Sequence, residues 1–145
     1  MSKSSVTDTL TAILADTYAL GVKTHAAHWN VTGPGFFELH AAFSDQYEAL
    51  LEAADVLAER VRALEGQAPA GIKALAKATN LSDIDATDGH KLAKILRDDH
   101  RALSAALSKA ITVAQKAGDE ATADLFIGRV EAHDKTAWQL AAWAA

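Results

Sequence analysis

Apolar residues recur at three- and four-residue intervals along most of the chain, in four long runs. From Val6 to about Val31, Leu10, Ile13, Leu14, Thr17, Tyr18 and Gly21 share one helical face, and Gly33, Pro34 and Gly35 then stop the run. The second run, from Phe36 to about Glu65, carries Phe36, Leu39, Phe43, Tyr47, Leu50, Leu51, Ala54, Leu57, Ala58, Val61 and Leu64 with the same period. Gly66 and Pro69 close it. A third run, from about Asp88 to Ala117, shows Leu92, Ile95, Leu96, Leu103, Leu107, Ile111 and Ala114, with Thr87 or Asp88 as its N-cap. Gly118 ends it, and Asp119 with Thr122 opens a fourth helix that reaches about Trp143.

Four helices of about 24 to 30 residues would each be roughly 36 to 45 Å long. Such matched lengths predict an all-α bundle. Only a few residues separate the first helix from the second and the third from the fourth, so each pair must fold as an antiparallel hairpin. The stretch from Gly66 to Thr87 is too long for a tight turn. It can run the length of the bundle, making the second and third helices parallel in the single-crossover topology of ferritin-like folds. Ile72, Leu75 and Ala76 within it would form one face of a short extra helix. At 145 residues the expectation is one domain over residues 1–145, with a short flexible tail of about residues 1–5.

Composition narrows the chemistry. Half of the residues are apolar, and glycine and proline are sparse, as a helical chain requires. There is no cysteine, so disulfide scaffolds and thiolate metal sites are excluded, and any metal must be held by His, Asp and Glu. Met1 to Thr9 offers neither a signal core nor a basic leader, and no apolar run spans a bilayer. A cytoplasmic protein without membrane contact is therefore expected. The net charge of −5 gives no general attraction to nucleic acid.

The polar residues of interest fall on the first two helices. His25 and His28 lie on the last turns of the first helix, His40 on the first turns of the second, and Asp55 with Glu59 farther along it. Such donors suit iron, zinc or manganese rather than copper(I). Asp55 and Glu59 are neighbours four apart and can share one ion. His28 and His40 flank the turn at Gly33 and can approach each other. His40 and Asp55, however, are roughly 22 Å apart along one helix axis, whereas ligands of one ion lie within about 2 Å of it. Their side chains nevertheless point to broadly the same side, about 60° apart. If the second helix packs antiparallel against its copy across a two-fold axis, His40 of one chain meets Asp55 and Glu59 of the other.

The segment Lys23-Thr-His-Ala-Ala-His-Trp-Asn-Val-Thr-Gly-Pro-Gly-Phe-Phe-Glu-Leu-His40, followed by Ala54-Asp-Val-Leu-Ala-Glu-Arg60, resembles the signature of Dps proteins, the mini-ferritins of bacteria and archaea. The resemblance extends over nearly the whole chain, including Thr122-Ala-Asp-Leu-Phe126 and Lys135-Thr-Ala-Trp138. It implies a homododecameric shell whose two-fold shared sites oxidise Fe(II), preferentially with hydrogen peroxide rather than dioxygen, and whose interior stores ferric mineral. By position it implies that His28 and His40 of one subunit and Asp55 and Glu59 of its mate bind the iron, with zinc as a substitute metal. Trp29 matches the family's tryptophan beside the site, and Asp119 and Asp124 match acidic residues lining three-fold pores that admit iron. One position departs from the pattern: the family's Asp or Glu four residues after the second histidine is Ser44 here, and the following Asp45 points about 100° away. A hydroxyl is a weaker ligand than a carboxylate, which predicts a weakly held second iron.

Two other functions compete. Some Dps proteins coat DNA, associated with the nucleoid, through a lysine-rich tail; here only Lys3 precedes the first helix and Ala144 and Ala145 follow Trp143, so weak or absent DNA binding is expected. The third reading, suggested by Ser44, is a helical assembly module whose metal site is inactive. His25, one turn before His28, is a further candidate ligand, with a surface hydrogen bond as the alternative. His90, His100 and His133 have no usable partner spacing and read as structural or exposed. Lys91, Lys94, Arg97 and Arg101 read as a solvated stripe balanced by Asp98 and Asp99. Trp138 and Trp143 read as packing residues.

Overall fold

A computed structural model of the protein describes the backbone of residues 3–145 and the side chains from Ser5 onward. Five helices follow one another: α1 (Lys3–Asn30), α2 (Phe36–Ala63), α3 (Ile72–Ala78), α4 (Gly89–Lys116) and α5 (Glu120–Ala144). The four long ones make the bundle, and α3 is the short helix in the crossover. Of the expected tail, Met1 and Ser2 lie outside the described residues, while Lys3 to Ser5 already belong to α1.

Local chemistry sets the helix ends. The Asp88 carboxylate accepts from the Lys91 N–H (2.9 Å) and Asp119 from the Thr122 N–H (3.0 Å), each satisfying an orphan donor of a first turn. Gly118 takes a left-handed φ of 75° after α4, with the Gly118 and Asp119 N–H groups returning to the Gln115 and Ala114 carbonyls. The same pair of bonds closes α2, but there the left-handed residue is Glu65 (φ 67°) rather than the expected Gly66. Gly66 is needed one step later, where its N–H reaches Val61 O and a Cβ would lie 3.0 Å from the Val61 side chain.

Packing follows the apolar stripes. α1 lies against α2 and α4, α4 against α5, and α3 against α1. Leu10, Leu20, Leu39, Phe43, Leu57, Leu92, Leu96, Leu107 and Phe126 are fully buried between them. Each such side chain is worth about 1.5–3 kcal/mol of transfer free energy. The crossover returns the chain to its starting end: the Thr32 N–H donates to Thr87 O (2.8 Å), setting the start of α4 beside the end of α1. α2 and α4 therefore run in the same direction. Asp16 anchors the crossover by accepting from the Thr79 hydroxyl (2.7 Å) and the Asn80 N–H (2.8 Å).

Three sequence expectations are corrected by this packing. His100 on α4 and His133 on α5 do have a partner, namely each other, with Nδ1 atoms 2.8 Å apart in the core. Asp99 does not balance the α4 basic stripe; its carboxylate pairs with Lys23 of α1 at 2.7 Å, and within the stripe Asp98 pairs with Arg97. Trp143 packs on the core, but Trp138 stays 65% exposed in the single chain. Helical period alone does not say which neighbour a face will meet.

Candidate metal centre

The turn at Thr32 to Gly35 brings the end of α1 back against the start of α2. Gly33 and Gly35 have φ of 93° and 81°, a backbone region costly for other residues, and Gly35 also leaves room for the Trp143 ring. A Cβ at Gly35 would sit 2.3 Å from that ring. This tight reversal places His28 and His40 face to face, ring centroids 3.8 Å apart and planes within 14°.

Each imidazole then bonds the other residue's backbone. His28 Nδ1 lies 2.7 Å from His40 O, and His40 Nδ1 lies 2.8 Å from His28 O. A carbonyl can only accept, so both Nδ1 atoms carry a proton, and Nε2 is the ring nitrogen left for a ligand. The His28 carbonyl is one of the last four of α1, which have no partner inside the helix, so His40 caps α1 as well. A pair of histidines oriented through Nδ1, with Nε2 turned away from those bonds, is the arrangement a divalent ion needs from nitrogen ligands.

Aromatic rings surround the pair. His25 does not join it; its ring is 6.1 Å from His28 and stacks on Tyr47 at 3.9 Å. Trp29 lies 4.2 Å from His25 and is 65% exposed. Tyr47 meets His28 edge-on at 5.6 Å and Phe36 stacks on His40 at 5.1 Å. Sequence reading had put Tyr47 among packing positions. Its signal was its place seven residues after His40, two turns along the same face.

The carboxylates are elsewhere. Asp55 and Glu59 are exposed farther along the continuous helix α2, and Asp55 borders a cavity of about 220 Å³ with Tyr18, Pro69 and Leu75. Among the described residues no three His, Asp or Glu side chains of one chain gather closely enough to hold a metal ion. Ser44 is half-buried one turn beyond His40, and Asp45 does not replace it, because Asp45 is exposed toward a cavity facing α5.

At the far end of α2, Arg60 reaches the start of α5. Its Nε–H donates to the Thr122 hydroxyl and its Nη2–H to Asp119 Oδ1, both at 2.9 Å. Partial burial pushes the Asp119 pKa up, but the Thr122 hydroxyl and N–H and the Arg60 charge outweigh it and hold the carboxyl below its usual range. Asp119 is thus engaged as a cap and ion-pair partner, while Asp124 is exposed.

The ferritin-like domain family model matches residues 7–145. A protein of Brevibacillus brevis called DNA protection during starvation protein is 35% identical over 133 residues, covering 90% of this chain and 88% of that protein. The crystal structure of a Dps protein from Bacillus brevis superposes with a TM-score of 0.96 at 31% identity, covering all of both chains. The Dps protein from Vibrio cholerae, described as a member of a broad superfamily of ferritin-like diiron-carboxylate proteins, gives a TM-score of 0.94 at 29% identity over 99% of this chain and 91% of that one. With the crossover helix, the paired histidines and these whole-chain likenesses together, the chain belongs to the Dps family of the ferritin-like superfamily.

Proposed function

We propose that this protein oxidises Fe(II) at a site completed by two copies of the chain, and stores the ferric product inside a closed shell of twelve. The observation that carries the reading is the reciprocal pair of bonds between His28 and His40, which leaves two oriented Nε2 atoms without, among the described residues, a carboxylate of the same chain to complete a metal site. Asp55 and Glu59 of a second copy supply the missing charge. The surface around them suits pairing, since Val22, Trp29, Val56 and Ile72 are exposed apolar side chains on α1, α2 and α3.

Fe(II) is the substrate here. His28, His40, Asp55 and Glu59 bind it, the carboxylates favouring the more highly charged ferric product. With hydrogen peroxide as oxidant, two Fe(II) ions give one electron each, the O–O bond breaks, and two protons are taken up to leave two water molecules. Dioxygen is the slower alternative oxidant, and zinc occupies the same donors without reacting because it has no accessible redox couple. Trp29 covers the site from the solvent side. Ser44 leaves the second iron weakly held. Asp124 is the carboxylate that lines an iron-admitting pore, whereas Arg60 neutralises Asp119.

Anaerobic Fe(II) loading followed by peroxide tests this directly. Ferric absorbance is expected from the native protein and not from Asp55→Ala plus Glu59→Ala; equal rates from both overturn the reading. DNA protection is the second reading, favoured by the name of the Brevibacillus relative. With a net charge of −5 and few cations near the helix α1 start, DNA binding is weak or absent near neutral pH, and a gel shift that persists at moderate ionic strength contradicts this.

A further inference from the structure

The seam between α2 and α5 holds a second polar site, built around the paired histidines of the core. A cavity of about 170 Å³ is lined there by Asp45 and Gln46 of α2, His100 of α4, and Arg129, His133 and Thr136 of α5, among others. His100 is 2% exposed and His133 fully buried. Burial, with Arg129 as the second cause, lowers the pKa of His100 to about 4. Burial, then His100 and Arg129, lowers that of His133 to about 2, so both rings are neutral at physiological pH.

Their hydrogen-bond directions follow from the arginine. Arg129 Nη2 lies 3.1 Å from His133 Nε2, and a guanidinium can only donate, so His133 carries its proton on Nδ1. His133 Nδ1–H therefore donates to His100 Nδ1 at 2.8 Å, which leaves the proton of His100 on Nε2. That Nε2–H and the Nε–H of Arg129 are buried donors with no hydrogen-bond partner, and both residues line the cavity. Gln46 Oε1 is also buried and unpartnered.

Charge separates the occupants that could satisfy these groups. No carboxylate among the described residues lies within ion-pair distance of Arg129; the described ion pairs join Lys23 to Asp99, Arg60 to Asp119 and Arg97 to Asp98. A partly buried guanidinium with no carboxylate in contact is costly, and water can satisfy its N–H but not its charge. A metal cation would meet that charge at close range, and the 2.8 Å between the two Nδ1 atoms leaves no room for an ion between the rings. We propose that this cavity binds a small inorganic oxyanion, phosphate being the simplest, held by Arg129 Nε–H and His100 Nε2–H. Arg129 is only half-buried, so the anion can enter along the seam. Asp45 lines the same cavity and opposes binding. The site is separate from the His28 and His40 pair and does not depend on iron chemistry.

Equilibrium dialysis of the metal-free assembled protein against radiolabelled inorganic phosphate tests it. One saturable site per subunit is expected, weakened about tenfold or more in Arg129→Leu, since hydrogen bonds to charged groups contribute about 1.5–3 kcal/mol. Asp45→Asn, an exposed change that need not disturb folding, is expected to tighten binding. Absence of saturable binding, which is the result of a water-filled cavity, overturns the proposal. So does unchanged affinity in a folded Arg129→Leu, or weaker affinity in Asp45→Asn.

Discussion

At the residue scale, His28 and His40 each do two things at once. Each ring is a candidate ligand, and each orients the other by donating Nδ1–H to its carbonyl. Removing one should therefore harm both. His40→Ala is expected to weaken binding of Co(II), a spectroscopic stand-in for Fe(II), by more than about a hundredfold, because a ligand and the orienting bond of the other ligand vanish together. Loss of less than about tenfold would show that His28 is held without it. Ser44 carries the opposite expectation. Ser44→Asp places a carboxylate one turn beyond His40 and should raise the Fe(II) bound per subunit under anaerobic titration. Unchanged stoichiometry would show that the second position is limited by something other than Ser44. The histidine pair was legible in the sequence because its members flank one short turn, whereas Ser44 stands out only against the family's pattern. The Nδ1 bonds of the two rings were not legible, because those depend on carbonyls that a glycine turn brings into reach.

At the scale of the element, the turn between α1 and α2 is the part that tolerates least. Gly35 combines a φ of 81° with a Cβ position 2.3 Å from the Trp143 ring. Gly35→Ala should cost about 2–5 kcal/mol, from roughly 1–2 for the left-handed backbone and about 1–3 for displacing the ring. Thermal unfolding checks it, and the same substitution should separate the histidine pair, lowering metal affinity as well. The cap at Asp88 makes a milder case, with Asp88→Ala expected to cost about 1 kcal/mol without touching metal binding. Helix ends were readable from Asp88, Asp119 and Gly118 because caps are encoded within a turn of the boundary. α2 ends at Ala63, two residues before the expected Glu65, since Glu65 rather than Gly66 takes the left-handed position.

At the scale of the whole molecule, two buried histidines set a pH limit, and two exposed carboxylates give a test of the proposed assembly. The folded pKa values of His100 and His133 lie below the ordinary 6.5, so the unfolded chain binds more protons than the native one once the pH falls below about 6.5. Their contribution is intact above that pH and is lost on acidification, at about 1.4 kcal/mol per pH unit for each ring until its folded pKa is reached. Denaturant unfolding at pH 6.5 and pH 4.5 should show this loss, and His100→Phe should flatten the dependence. An equally steep dependence in the variant would assign it to other groups. Assembly has its own test. Subunits carrying His28→Ala plus His40→Ala, mixed and reassembled with subunits carrying Asp55→Ala plus Glu59→Ala, should recover roughly a quarter of native Fe(II) oxidation, because half the random pairs are mixed and each has one intact site of two. A site contained within one chain would recover nothing.

Periodicity, loop length and spacing, which are properties of neighbouring positions, settled the four long helices, the crossover helix and the parallel course of α2 and α4, whereas the four residues proposed for iron rest on spacing together with the family resemblance. The sequence by itself also contained the arithmetic that His40 and Asp55, roughly 22 Å apart on one rigid helix, cannot share an ion within a chain. Tertiary structure alone decided which polar groups meet across helices. Lys23 reaches Asp99, Arg60 reaches Asp119, and His100 reaches His133, at separations along the chain of 76, 59 and 33 residues. The physical reason is that a helical period says which face a residue occupies but not which face lies opposite. Pairing across the bundle is settled only when the apolar stripes have packed and their rotations about the helix axes are fixed.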